Sequence, residues 1–329
     1  MRGYSYDDVS LVPRYSEVRS RKDCDPSIEF LDHKFELPLT PANMRASIDP
    51  YKAVWLSKNG YFYALDRFYT YGDIFEWVEG RQHLPCISIS VGVGGKDKKL
   101  IQKLYNANLR IDFITIDIAH GHSILMKEMI EFIKSFYHVS VKITAGNVTT
   151  PDAVKDLQSW GADAIKIGVG QGHTCTTRLQ TGFGIPMFSC IQDCAREAIV
   201  PLIADGGVRH VGDIVKALVA GADMVMAGSM FARCLDSPAE TDDGWVYNGQ
   251  YKTRPEIETG EIYKIWYGSS THHNKGYLEN NEGRKVREES NYMTYNQFLS
   301  YVKEHLQSAI SYAGGNDLSI FNTTKYNIV

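Results

Sequence analysis

One unit is written twice in this chain, and the repeat restricts its fold more than any other feature. GADAIKIG at 161–168 recurs as GADMVMAG at 221–228, and the segments before them, AGNVTTPDAVKDL at 145–157 and ADGGVRHVGDIVKAL at 204–218, echo each other too. Each copy reads as strand, loop, helix, loop, strand. Around them, from residue 86, the short β-rich runs CISISV, IDFITID, VSVKIT, DAIKIG, VPLIAD and DMVMAG are separated by amphipathic segments at 96–108, 122–136, 151–160, 189–198 and 211–220. Apolar strands alternating with helices imply a parallel sheet covered by helices. An open doubly wound sheet and a closed (β/α)8 TIM barrel both meet that description. Repetition of a two-strand unit suits a closed ring better than a sheet with a switch point. The expected class is therefore α/β, a (β/α)8 barrel spread over one catalytic domain, 1–329, with no inserted regulatory module.

Polar residues and glycines gather where the strands end: Asp117, Ala145–Asn147, the 168–178 loop, Asp205–Gly207 and Gly228–Ser229. Strand termination explains any one of them. Five together point to the barrel face that carries active sites. ADGG and AGSM follow the last two core strands, where bare backbone N–H groups can hold a phosphate. Gly206, Gly207 and Gly228 permit close approach, and Ser229 adds a hydroxyl. Asp205 disfavours a phosphate and suits ribose hydroxyls instead, so the combination describes a nucleotide.

The loop GVGQGHTCTTR at 168–178 sets Cys175 among three glycines, with Thr176 and Thr177 beside it. A turn with an incidental buried cysteine is the ordinary reading. A nucleophile in a loop of converging N–H dipoles is the sharper one. His173 has three readings: a surface residue, a phosphate contact, or a base for Cys175. No histidine or cysteine spacing reads as a metal centre, and Cys190 and Cys194 fit one packed helix face.

The net charge of −4 lacks the basic excess of a nucleic-acid binder, though Arg19, Arg21 and Lys22 could meet a phosphate. Six scattered cysteines fit free thiols in a reducing cytoplasm. The N-terminus has no apolar signal region, and no run approaches the roughly 18 apolar residues of a membrane span. Residues 238–288 break the alternation and read as a mobile aromatic flap over the barrel mouth. The stretch 294–320 returns to helical spacing as a C-terminal extension.

Together, YDDVSLVP, SRKDCD, LPLTPANM, ITIDIAHGHS, AGNV, CTTRLQTGFG, IADGG, YGSS, NEGRKV and SYAGG resemble the IMP dehydrogenase/GMP reductase family over nearly the whole chain. The resemblance implies a barrel, usually tetrameric. It also implies reductive deamination of GMP to IMP and ammonia with NADPH, through a cysteine–purine thioimidate. It makes Cys175 the nucleophile, with Thr177 and Glu282 managing protons. Asp205, Gly206, Gly207, Gly228 and Ser229 would hold ribose and phosphate, and Gly268, Ser269 and Ser270 would border the base. Ser20, Arg21, Arg67, Asp117, Ile118 and Ala119 would meet NADPH, with Tyr312 and Gly314 reaching a neighbouring subunit. Gly170, Gly172, Cys175 and Arg178 match the loop that holds a monovalent cation, potassium, through carbonyl oxygens.

The reductase branch is favoured over the dehydrogenase branch by the missing regulatory module, by the absence of an Arg–Tyr pair in 238–288, and by the glutamate of NEGRKV. A flavin-binding barrel and a nucleotide-binding protein without catalysis are the other readings. The chain departs from the family's GPGS or GPGK at Gln171 and His173. Glu279 stands where relatives carry a cation, and Asp66 replaces a histidine. The flap carries about a dozen extra residues, including WVYNGQYKTRPE. These departures raise the expectation that a modified or deoxy purine nucleotide is accepted.

Overall fold

The chain is described by a computed structural model over residues 3–241, 261–268, 271, 273 and 283–329. Seven parallel strands form one curled sheet, hydrogen-bonded in the order Leu39–Pro41, Met224–Ala227, Leu202–Asp205, Ala164–Ile167, Lys142–Val148, Phe113–Asp117 and Ser88–Val91. The first and the last in sequence are thus neighbours: Val225 pairs with Leu39 and Met226 with Thr40. A ring needs an eighth member between Leu39–Pro41 and Ser88–Val91. Residues 62–65 take that place. The Thr40 hydroxyl donates to Phe62 O at 3.0 Å, and Leu65 bridges Ile89 in parallel. The barrel expected from the repeat is the fold observed.

The strands match the apolar runs to within a few residues, because nearly every position in them is buried. Their helices lie outside the ring as Gly95–Asn106, Ile124–Tyr137, Pro151–Ser159, Met187–Ala195 and Val211–Ala220. Local chemistry sets where they start. Thr150 accepts from the N–H of Ala153 just ahead of Pro151, whose missing N–H costs nothing in a first turn. Thr294 and Gln297 make a reciprocal cap at the start of the long helix Tyr295–Ala313, the expected C-terminal extension.

The described parts of the segment expected to be a flap include a sheet. Glu240–Thr241, Tyr263–Tyr267 and Lys285–Glu289 form three antiparallel strands, with Trp266 opposite Val286. Trp266 packs with Ala46, Ala232, Ala239 and Val286 in a small second core. The many charged and glycine residues around these strands concealed their alternation. The insertion WVYNGQYKTRPE lies outside the described residues. Among the described residues, no helix is long and apolar enough to cross a membrane.

Candidate active site

All seven sheet strands run the same way, so their C-terminal ends open on one face. Asp117 and Asp205 each end a strand there, Asn147 lies near the end of Lys142–Val148, and Gly168 and Gly228 follow two others. Lys166, inside the strand Ala164–Ile167 and only 2 % exposed, ties this face together. Its ammonium stands 2.8 Å from Asp117 Oδ1 and 2.6 Å from Asp205 Oδ2, and it donates to Asn147 Oδ1. Asn147 Nδ2 donates to Asp205 Oδ2 at 2.9 Å and to Gly168 O at 2.7 Å. Burial pushes Asp117 toward its neutral form, yet Lys166 and Arg67 outweigh it and hold the carboxyl below its usual range. Burial likewise disfavours the Lys166 charge, but the two aspartates raise its pKa above the ordinary value. The pair is ionised in place. Sequence reasoning passed over Lys166. The available signal was a lone cation inside an otherwise apolar parallel strand, which needs buried carboxylates as partners.

Glycine lets the next loop turn over this cluster. Gly168 has φ +124°, and a Cβ there would sit 2.2 Å from Asp205 O. Beyond it, Cys175 N–H donates to Gly172 O at 3.0 Å. The Cys175 sulfur and Thr177 Oγ1 are 3.2 Å apart, within proton-exchange reach. The strand Lys285–Glu289 anchors this loop from outside. Arg284 N–H donates to Thr174 O, its guanidinium donates to His173 O, and Cys175 pairs with Gly283. Glu282, expected to manage protons, lies outside the described residues, as do Glu279, Ser269 and Ser270. His173 Nε2 faces Glu288 Oε1 at 2.8 Å rather than Cys175, so the geometry does not support its reading as the cysteine's base.

Two adjoining cavities open on this face. The larger, about 300 Å³, is lined by Gly206, Gly207, Gly228 and Ser229, together with His173 and Trp266. The smaller, about 160 Å³, contains Cys175, Thr177, Asn147, Lys166, Gly168 and Gly268, and reaches Arg67, Asp117, Ile118 and Ala119. Asp205, Gln171, Gly172 and Thr174 border both. A Cβ on Gly206 would meet Gly172 N at 3.1 Å, so glycine keeps the seam open. The larger cavity has the bare backbone and hydroxyl that suit a phosphate.

Arg67 lies with Nε 3.6 Å from Asp117 Oδ2 and its guanidinium over the Phe68 ring. Asp66, beside it, is buried with Oδ2 unpartnered. Ser20, Arg21, Tyr312 and Gly314 line neither cavity. Arg21 donates to the Tyr312 hydroxyl at 3.0 Å and to Ser308 Oγ at 3.2 Å, on a separate surface. Gly170, Gly172 and Cys175 share one loop and Arg178 lies in the short helix Thr177–Thr181 that follows it: a Cβ on Gly170 would come 3.0 Å from Arg178 Cβ. The described residues hold no cluster of three or more His, Cys, Asp or Glu at metal spacing.

The fold and site define a class: a parallel β/α barrel with a cysteine loop set between a glycine-lined cavity and a second, charge-lined one. The model of the IMP dehydrogenase / GMP reductase domain matches residues 3–328, and the chain belongs to that family. It is 43% identical to a protein of Leptothrix cholodnii named GMP reductase, over 100% of this chain and 97% of that one. A GMP reductase of Oenococcus oeni is 41% identical, covering 100% and 98%. One of Lactobacillus acidophilus is 39% identical, covering 100% and 96%.

Proposed function

We propose that this protein reduces GMP to IMP and ammonia with NADPH, using Cys175 as a covalent nucleophile. The observation that carries the reading is the position of the Cys175 loop. It bounds a small cavity shared with Asp117 and Arg67, which opens directly onto the glycine-lined cavity fit for a 5′-phosphate. In this reading phosphate lies against Gly206, Gly207, Gly228 and Ser229, ribose against Asp205, and the purine between Gly268 and Cys175, with Ser269 and Ser270 at its edge. The sulfur adds to carbon 2 and the exocyclic amino group, once protonated, departs as ammonia, leaving a thioimidate. When bound, the dihydronicotinamide supplies hydride to that carbon. The C–S bond then breaks, the thiolate returns, and carbon 2 keeps the new hydrogen. Thr177, 3.2 Å from the sulfur, passes protons at that atom, with Glu282 as its expected partner.

The smaller cavity fits a nicotinamide end. Arg67 Nε is buried without a hydrogen bond there, and Ile118 and Ala119 offer an apolar floor. Ser20, Arg21, Tyr312 and Gly314 lie off this cavity, so in this reading they serve a neighbouring subunit of a homotetramer. Carbonyls of Gly170, Gly172, Cys175 and Arg178 would hold the monovalent cation that braces the loop. The setting is cytoplasmic purine nucleotide salvage.

Absorbance at 340 nm should fall when the protein is mixed with GMP and NADPH, with one ammonia released per NADPH consumed. A rise with IMP and NAD, and no reaction in the reductive direction, would make it a dehydrogenase instead. Mass spectrometry of the intact protein after mixing with nucleotide should show a purine adduct that Cys175→Ala lacks.

A further inference from the structure

Gln171 stands at the seam of the two cavities and borders both. Its Nε2 is shielded from water and has no hydrogen-bond partner. A sealed, unpaired amide donor is costly, and such groups mark places where an absent partner belongs. The other residues bordering both cavities limit what that partner is. Ala42 and Met44 carry no acceptor oxygen in their side chains, and neither the Thr174 hydroxyl nor the Asp205 carboxylate bonds the amide. Gln171 lies over the turn that follows Asp205, since a Cβ on Gly206 would come 3.5 Å from Gln171 Cβ. The Asp205 bonds to Lys166 and Asn147 both fall on Oδ2. The residues that line both cavities therefore include an amide donor and a carboxylate acceptor. A group that answers both must donate and accept at once, which a hydroxyl does and an ether oxygen or ring nitrogen does not.

We propose that Gln171 is a specificity-determining residue: its amide N–H bonds a sugar hydroxyl that in turn donates to Asp205, so the site selects a ribonucleotide over its deoxy counterpart. This rests on the reading of the site given above, in which phosphate occupies the glycine cavity and the base meets Cys175. The sugar of such a ligand lies between them, at the seam. Loss of the hydroxyl leaves the sealed Gln171 amide without a partner and takes one donor from Asp205, which discriminates more strongly than loss of a methylene does. Such selection runs against the deoxy half of the expectation that the chain's departures admit a modified or deoxy purine nucleotide.

The test is a comparison of ligand ratios in the wild type and Gln171→Met, which keeps side-chain length and removes the amide. Dissociation constants from calorimetry and kcat/KM are measured for GMP, 2′-deoxy-GMP, 3′-deoxy-GMP and guanosine. The wild type should prefer GMP over at least one deoxy nucleotide by tenfold or more. Gln171→Met should shrink that preference about tenfold and leave the GMP-to-guanosine ratio unmoved. Deoxy ratios that stay within twofold overturn the proposal. So does a shift confined to the GMP-to-guanosine ratio, which would assign the amide to phosphate. Each ratio is internal to one protein sample, so partial unfolding of the variant cancels. Binding ratios that move as expected without any turnover would uphold the role of Gln171 and sink the reductase reading alone.

Discussion

Lys166 Nζ stands 2.6 Å from Asp205 Oδ2, and through that contact the strand that carries the lysine fixes the carboxylate at the end of the neighbouring strand. Asp117 completes the arrangement from the other side at 2.8 Å. One buried cation thereby serves as counter-charge to both acids at the floor of the site.

Removal of that cation should be costly. Lys166→Met leaves two carboxylates close together without their counter-charge, and breaking a buried pair on one side costs about 3–5 kcal/mol. Urea unfolding should show a midpoint lowered accordingly. Adding Asp117→Asn to the lysine variant should recover part of the loss. If the double variant is less stable than Lys166→Met alone, the charge argument is wrong.

Cys175 and Thr177 should separate chemistry from binding. Cys175→Ala is expected to lose turnover by at least 10³-fold while GMP affinity stays within about threefold, since covalent catalysis is lost but the cavities are not. Thr177→Val should lower kcat about 10²-fold with little change in KM, the size of a lost proton-transfer step. Survival of full activity in the cysteine variant would end the covalent mechanism.

Gly168→Ala tests the turn over the cluster. At φ +124°, with a Cβ 2.2 Å from Asp205 O, any side chain must push the loop off the strand end. A stability loss of about 2–4 kcal/mol and a large fall in activity are expected. Crystallography of the variant would show Cys175 displaced. An undisplaced loop with full activity would contradict the close approach.

Asp66 supplies a pH dependence. Burial, reinforced by Asp117 and opposed by the Phe68 N–H and by Arg45 and Arg67, lifts its pKa from 3.8 to about 6. The native state therefore holds a proton that the unfolded chain has released between about pH 4 and 6. Stability from this group is greatest below pH 4 and declines as pH rises through that window. The difference is on the order of 3 kcal/mol above pH 6. Asp66→Asn, which keeps the acceptor for Phe68 N–H, should raise Tm at pH 8 and leave it unchanged near pH 4. A Tm gap equal at both pH values would show that charge burial is not the cause.

Several of these features could be read before any coordinates. The runs DAIKIG and DMVMAG gave strands at Ala164–Ile167 and Met224–Ala227, because nearly continuous apolarity signals burial on both faces. The glycine pairs of ADGG and the cysteine loop were visible as breaks in that apolar pattern. The ring member at 62–65 was not, since YFYALD is too short and aromatic to distinguish a strand from a helix segment. The strands Tyr263–Tyr267 and Lys285–Glu289 were hidden within a long polar stretch. Glu282, Ser269 and Ser270 were named from motifs, and they lie outside the described residues.

The sequence by itself determined most of the barrel strands and their helices and which strand ends carry polar and glycine residues, because periodicity and glycine act within a few residues. The tertiary structure alone decided that Lys166 faces Asp117 and Asp205, that His173 turns to Glu288, and that Gln171 is left with an unpaired amide between two cavities. Those relations join residues tens to over a hundred positions apart. A local pattern reports that a side chain is buried; only closure of the ring determines what it is buried against.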